Sequence, residues 1–183
     1  FDGEPAPSVL QADRDKSVSI EFFSLSKSYN MGGFRAAYAI GNAELIKALR
    51  QVKATGDFNQ YRVILRGAIA SLTGPQDMVD TFAGRRNAVI TALNAIGWSV
   101  PTPSATMYIW AKLPQDLPHG WAGDSIRFCR ELVAETGVAL APGRGFGPSG
   151  EGYVRFALVH SPEILVLAAQ KIGDFIAGNL KKV

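Results

Sequence analysis

One stretch, residues 24–35, constrains this chain more than any other part of it. It contains three serines, a lysine, a glycine pair and an arginine, and it lies between two apolar, strand-like runs at residues 18–23 and 36–40. Serine hydroxyls, backbone N–H groups beside glycine and a guanidinium are the donors that a phosphate dianion requires. The stretch therefore predicts a phosphate-binding loop between two strands.

Lys27 lies in the middle of those donors. A lysine held among apolar neighbours and near a second cation has a lowered pKa, and a neutral amine can attack a carbonyl carbon to form a Schiff base. A phosphate cradle beside such a lysine indicates a pyridoxal phosphate site. Taken alone, the residues Ser-Leu-Ser-Lys favour a simpler interpretation, an ordinary solvated lysine in a serine-rich turn.

Composition narrows the class of protein. The 183 residues are 47% hydrophobic and 19% charged with a net charge of +3, which is typical of a folded globular protein without a nucleic-acid-binding face. The one cysteine, Cys129, is expected in the core, and His119 and His160 are too far apart in sequence to predict a metal site. No apolar run reaches the length of a membrane span, and no signal peptide is visible, so we expect a soluble, cytoplasmic protein.

The spacing of apolar residues predicts mixed helices and strands. Helices are expected after Asn42 as the cap up to Gly56 as the stop, and over residues 62–72, 75–96, 124–136 and 162–177. Strands are expected at 98–100, 106–112, 138–140 and 153–159. Residues 74–183 are predicted to form a small α+β domain. On the last helix the inner face is assigned to Ile164, Ala168, Ile172 and Phe175, and Arg85 and Arg86 are expected to be solvated or to contact a neighbouring domain.

Arg155 is the second candidate site residue. Alternation along the strand at 153–159 places it on a face that is otherwise apolar, so we expect it to be partly buried and to bind a carboxylate. That carboxylate belongs either to the protein or to a ligand, and the strand alone favours a structural salt bridge.

Three motifs occur in order along the chain: Ser24-x-Ser26-Lys27-x-x-x-Met31-x-Gly33-x-Arg35, then residues 103–110, then residues 141–147 with 150–155. Together they resemble the motifs of class I and II aminotransferases, which are fold type I pyridoxal-phosphate enzymes. The resemblance covers essentially the whole chain but only the second half of the family's usual length. It implies an α/β fold, the C-terminal portion of fold type I (aspartate aminotransferase-like). Residues 1–73 would then be an incomplete part of the large cofactor-binding domain, and 74–183 the small domain.

The resemblance also implies roles for individual residues. Lys27 would hold pyridoxal 5'-phosphate as a Schiff base and act as the general base, while Ser24, Ser26 and Arg35 would bind the phosphate. Arg155 would bind the α-carboxylate of an amino-acid substrate, whose amino group passes to a 2-oxo acid. A homodimer is implied as well. The chain departs from the family pattern at Ala37, Ala105 and Met107, and we interpret Tyr108 and Trp110 as core aromatics.

Several alternatives stay open from the sequence. The family residues that contact the cofactor ring have no match in these 183 residues, so the chain alone is expected to be weakly active or inactive. A fold type I lyase or synthase would use the same lysine and arginine. An aminotransferase-like ligand-sensing domain of a transcription regulator, or a remnant with a structural role, would also fit.

Overall fold

A computed structural model of the chain describes residues 1, 6–74 and 77–180. These residues form two compact units, one within residues 3–78 and the other within 79–183 together with Phe1. The division falls at 78/79, whereas the sequence interpretation placed a domain boundary at 73/74. Among the described helices, none has the length and apolar character needed to cross a membrane.

The first unit is a two-stranded antiparallel sheet with helices. Its strands are β1 Ile20–Ser24 and β2 Ala37–Gly41, and its helices are α1 Val9–Ala12, α2 Leu25–Ser28, α3 Ala43–Gly56 and α4 Arg62–Leu72. The predicted bounds of α4 are confirmed. The Asn42 cap is confirmed too, because its side-chain oxygen accepts hydrogen bonds from the backbone N–H groups of Glu44 and Leu45.

A small apolar core holds the first unit together. Its buried members are Leu25, Met31 and Ala36, and Tyr29, Ile64 and Ala68 pack against them. Because two of those partners lie on α4, the segment that follows β1 is anchored on that helix. The anchoring positions the candidate cofactor loop.

The second unit is a three-stranded antiparallel sheet packed against helices. Its strands are β3 Tyr108–Lys112, β4 Ala141–Pro142 and β5 Tyr153–Ala157, in the order β3–β5–β4, and its helices are α5 Met78–Ala95, α6 Ser125–Thr136 and α7 Pro162–Leu180. Its core is rich in aromatic residues, with Trp98, Trp121 and Phe128 at most 2% exposed. Asp124 caps α6, and Gly137 ends it with a φ of 74°.

The two faces of this sheet differ in character. Ile109, Val154 and Phe156 are buried on one face. On the other face Trp110 lies opposite Arg155 in the strand register and is 41% exposed. The interpretation of Trp110 as a core aromatic is therefore wrong, and its neighbour on that face, Tyr108, is only half-buried. The sequence showed which side chains share a face of the strand. It did not show which of the two faces the rest of the unit would cover.

Two predicted strands are absent from the described residues. Residues 98–100 and 138–140 have no regular secondary structure and pair with no strand in the described part of the chain. The Trp98 ring is buried in the core, and its indole N–H is satisfied there by donating to the carbonyl of Lys112 at 2.7 Å. Trp98 and Val100 are buried and Val138 and Leu140 are partly buried, so short apolar segments pack against the core here without forming strands.

Two helix faces also differ from expectation. On α7 the buried apolar residues are Leu165, Ala169, Ile172 and Phe175, so the predicted inner face is rotated by one residue at its start, and Ile164 is 52% exposed. On α5, Arg86 is 2% exposed rather than solvated, and its guanidinium donates to the carbonyl of Pro103 at 3.0 Å. The predicted start of α5 at Pro75 lies outside the described residues.

Candidate active site

The segment from Ser24 to Ala36 closes on itself. The N–H of Leu25 donates to the carbonyl of Ala36 at 3.1 Å, and the N–H of Met31 donates to the carbonyl of Leu25 at 3.2 Å. Ser24 lies opposite Ala37 in the ladder between β1 and β2. The two ends of the segment are therefore neighbours, and its polar residues belong to one loop, called here the lysine loop.

The serines stand at the beginning of the lysine loop. Ser24 caps α2, because its hydroxyl oxygen accepts from the N–H of Ser26 at 3.2 Å. Accepting that bond leaves the hydroxyl hydrogen of Ser24 able to donate to a ligand. Ser24 is exposed and Ser26 is half-buried.

Arg35 stands at the end of the same loop. It adopts a left-handed backbone with a φ of 52°, and its Nη1 donates to the carbonyl of Gly32 at 3.0 Å. Gly32 in turn lies against Ser26, since a Cβ at Gly32 would be 3.7 Å from the Ser26 carbonyl oxygen. The loop thus brings the arginine back toward the serines.

Lys27 lies in the last turn of α2 and is exposed. Leu25, two residues earlier, is 2% exposed and points into the small core. Residues two apart on a helix lie about 200° apart around its axis, so the lysine points away from that core. The apolar surroundings expected for Lys27 are therefore not supplied by the described part of the chain.

Arg155 has an unusual environment. Its guanidinium carbon lies 4.2 Å from the centre of the Tyr108 ring and 4.6 Å from the centre of the Phe146 ring. Its Nε is buried without a hydrogen-bond partner, and the side chain forms no salt bridge with any residue in the described ranges. The structural salt bridge that the strand pattern favoured is therefore not found there.

The loop that presents Phe146 is fixed by Glu151. One oxygen of its carboxylate accepts from the N–H of Ser125 at 2.7 Å and from the N–H of Gly152 at 2.8 Å. These backbone hydrogen bonds hold the pKa of Glu151 below its usual value. The Ser125 hydroxyl accepts from the N–H of Arg144 at 3.2 Å, so both ends of the loop are attached to the start of α6.

Sequence reasoning missed Tyr108 and Phe146 as neighbours of Arg155. The strand register would have placed residue 108 near residue 155, since Tyr108 lies opposite Ala157. For Phe146 the signal was an aromatic residue flanked by glycines at 145 and 147. Neither signal specifies a ring stacked on a guanidinium.

No site role is assigned to Asp13, which lies between α1 and β1. Its carboxylate accepts hydrogen bonds from the backbone N–H groups of Ser17, Val18 and Ser19, at 2.9 to 3.0 Å, and from the Ser17 hydroxyl at 2.7 Å. These bonds, led by the one from Val18, lower the pKa of Asp13 well below its usual range. The side chain is thus engaged in closing the turn before β1.

A scan against protein-family models matches residues 2–172 to aminotransferase class I and II. The chain belongs to this family. Its lysine loop and Arg155 both fall within the matched range.

Curated relatives and solved structures agree with class I and II membership. The chain is 43% identical to an LL-diaminopimelate aminotransferase of Dehalococcoides mccartyi over 179 residues, covering 96% of this chain and 45% of the relative. It is 39% identical to a glutamate-pyruvate aminotransferase of Escherichia coli, covering 88% of this chain and 39% of the relative. The chain therefore spans less than half the length of these curated relatives.

The structural comparison establishes the fold. A probable N-succinyldiaminopimelate aminotransferase from Thermus thermophilus superposes with a TM-score of 0.83 at 41% identity, covering 94% of this chain and 46% of the other. An aromatic aminotransferase from Pyrococcus horikoshii gives a TM-score of 0.86 at 23% identity, a likeness that concerns the fold alone. The chain has the α/β fold of the C-terminal portion of fold type I aminotransferases.

Proposed function

We propose that this chain is part of a pyridoxal-phosphate-dependent aminotransferase that moves an amino group between an L-amino acid and a 2-oxo acid. The observation that carries the proposal is the closure of the lysine loop. The bond from Leu25 to Ala36 joins the segment that bears two serine hydroxyls and an amine to the segment that bears Arg35. Family membership supports the same function.

The donors of the lysine loop fit a phosphate group. The Ser24 hydroxyl has a hydrogen free to donate, and the Arg35 guanidinium is exposed with only its Nη1 engaged within the loop. We assign phosphate binding to Ser24, Ser26 and Arg35, because a guanidinium and hydroxyls together satisfy several phosphate oxygens. No carboxylate of the loop opposes an anion there, since residues 24–35 contain no aspartate or glutamate.

Lys27 carries the chemical step in this proposal. Pyridoxal phosphate, when bound, supplies a carbonyl that amines attack and a ring that withdraws electrons from the substrate's α-carbon. The exposed Nζ of Lys27 is the proposed point of covalent attachment, and afterwards the base that takes the α-proton and returns it. Both roles require a neutral amine and a free path to the reacting atoms.

Arg155 is the proposed binding residue for the substrate carboxylate. Its side chain has no counter-charge among the described residues, and a carboxylate ligand would provide one.

We also propose a cytoplasmic homodimer. Exposed apolar side chains in the first unit support association with a second copy of the protein. They include Val52, Phe58 and Ile69, each at least 67% exposed.

The test is chemical trapping of the cofactor. The chain is incubated with pyridoxal phosphate, reduced with borohydride and digested, and the pyridoxyl group is located by mass spectrometry. We expect it on Lys27 and expect its loss in Lys27→Ala, whereas Lys47→Ala, which changes an exposed lysine of the same unit, leaves the yield unchanged. Equal labelling of the wild-type chain and Lys27→Ala would contradict the assignment.

The reaction class needs a separate measurement. On the complete gene product, an aminotransferase converts an amino acid and a 2-oxo acid into a new pair of the same kinds, without loss of a side-chain group. A lyase or synthase would instead release or replace a group at the β or γ carbon. Product analysis with one amino acid and one 2-oxo acid decides between these reactions.

A further inference from the structure

The guanidinium of Arg155 contacts two aromatic rings that come from different segments of the chain. Tyr108 belongs to β3, and Phe146 belongs to the glycine-rich loop between β4 and β5. Their ring centres lie 4.2 and 4.6 Å from the guanidinium carbon. We name Tyr108 and Phe146 the arginine clamp.

We propose that the arginine clamp positions Arg155 for its carboxylate ligand. The inference rests on the proposed role of Arg155 as the carboxylate-binding residue, and it assigns a task to two further residues. Neither ring is proposed to touch the reacting atoms. Both act through the orientation and the hydration of the guanidinium.

The clamp has a direct electrostatic consequence. Aromatic faces attract a cation, and rings this close to the guanidinium also take the place of water beside it. The Nε is enclosed and has no hydrogen-bond partner, and the guanidinium forms no salt bridge with a residue in the described ranges. The outer edge of the guanidinium therefore remains for an anion, and a bidentate carboxylate fits that edge.

Each half of the clamp has its own support. Tyr108 is fixed by the ladder between β3 and β5, where it lies opposite Ala157. Phe146 makes an edge contact with the Trp110 ring, with centroids 5.4 Å apart and an interplanar angle of 84°. Because Trp110 lies directly opposite Arg155 on the neighbouring strand, the contact keeps Phe146 over the arginine.

A fixed guanidinium binds a carboxylate more tightly than a mobile one. An arginine side chain without the clamp would populate several rotamers, and its ordering would oppose ligand binding. Removing one ring is expected to weaken carboxylate binding about tenfold, since it removes one cation–π contact and restores hydration of that face. Removing the Tyr108 hydroxyl alone should have little effect, because the contact is with the ring.

The experiment follows the Arg155 Nε–H signal in the ¹⁵N-labelled 183-residue chain. Acetate is the probe, with acetamide as the uncharged analogue and chloride holding the ionic strength constant. Tyr108→Leu and Phe146→Leu are compared with Tyr108→Phe, which keeps the ring. Tyr153→Leu is the matched control, because Tyr153 stacks on Trp110 rather than on the arginine.

The expected result is a pattern across these variants. Acetate shifts the signal in wild type, Tyr108→Phe and Tyr153→Leu with similar affinity, and binds about tenfold more weakly to each clamp variant. Exchange of the Nε proton with water is also expected to be faster in Tyr108→Leu than in wild type. This second measurement reports the clamp without any ligand.

The outcomes separate the clamp from the role of Arg155. If Tyr108→Leu binds acetate as tightly as wild type, the clamp proposal is wrong while the carboxylate role stands. If acetate causes no shift in wild type, the carboxylate role itself fails. It also fails if the acetate affinity, measured from other signals of the chain, is the same in Arg155→Lys as in wild type. Unchanged Nε proton exchange in both clamp variants would also overturn the clamp.

Discussion

Gly143 and Gly150 are in direct backbone contact across the loop that carries Phe146. A Cβ built on Gly143 would lie 2.0 Å from the carbonyl oxygen of Gly150, and one built on Gly150 would lie 2.1 Å from the carbonyl oxygen of Gly143. A side chain at either position would displace the backbone around the other glycine. The pair therefore fixes where the residues between them lie.

The first prediction concerns this pair. Gly143→Ala is expected to lower the free energy of unfolding by about 3 kcal/mol, because the new methyl group overlaps backbone atoms that cannot move independently. Gly145→Ala is the control, since a Cβ there meets nothing within 4 Å, and its effect should stay below about 0.5 kcal/mol. Urea denaturation of both variants gives the comparison. Equal stabilities would refute the close contact.

A second prediction follows from the carboxylate of Asp13. Its folded-state pKa is depressed below the usual 3.8 by backbone hydrogen bonds, so its contribution to stability is present above pH 3.8 and is lost as the pH falls below that value. Asp13→Asn should therefore be less stable than wild type near neutral pH, and the difference should shrink steadily in acid. Thermal unfolding of both proteins between pH 7 and pH 2.5 measures this difference in stability.

Asp15→Asn provides the control for that series, because Asp15 is an exposed aspartate in the same turn. It should follow the wild-type curve throughout. If the difference in unfolding temperature between Asp13→Asn and wild type stays constant with pH, the side chain acts through its shape rather than its charge.

The third prediction concerns Cys129, which is 7% exposed. Burial raises the pKa of its thiol to about 12, so the reactive thiolate is scarce at pH 8. An aromatic disulfide reagent should detect the thiol of the native chain only very slowly. The full signal of the one cysteine should appear on addition of denaturant. Rapid labelling of the native chain would place Cys129 outside the core.

The fourth prediction concerns Thr106, which lies two residues before β3. Its φ of 75° is a conformation that β-branched residues rarely adopt, and it costs about 1–2 kcal/mol. Thr106→Gly should stabilise the fold by about 1 kcal/mol, because relief of the strain outweighs the added freedom of the unfolded chain. Thr106→Ala, which keeps a Cβ, should gain less. A drop in stability on Thr106→Gly would show that the conformation carries no strain.

The elements that the sequence predicted well are those with local causes. The bounds of α4 and the Asn42 cap depend on helix periodicity and on a side chain that bonds its own helix. The position of the lysine loop between β1 and β2 has the same character, since its motif is contiguous, while the ligands assigned to the loop stay a prediction. Such features need no knowledge of distant residues.

The failures depend on contacts between distant residues. Trp98 was assigned to a strand because it is apolar, but its burial comes from a hydrogen bond and packing across the core. Trp110 was assigned to the core, although the helices of its unit cover the opposite face of the sheet. The surroundings of Arg155 were uncertain for the same reason. Both rings that enclose it are remote in sequence, and a strand pattern does not specify them.

The hydrogen bond from Leu25 to Ala36 has a consequence for the order of folding. It joins residues only eleven positions apart, and the apolar side chains of Leu25, Met31 and Ala36 collapse within the same short span. Closing so short a loop costs little chain entropy and proceeds on a timescale of about 10–100 ns. The segment that bears the candidate catalytic lysine can therefore take shape early, before contacts between remote parts of the chain are made.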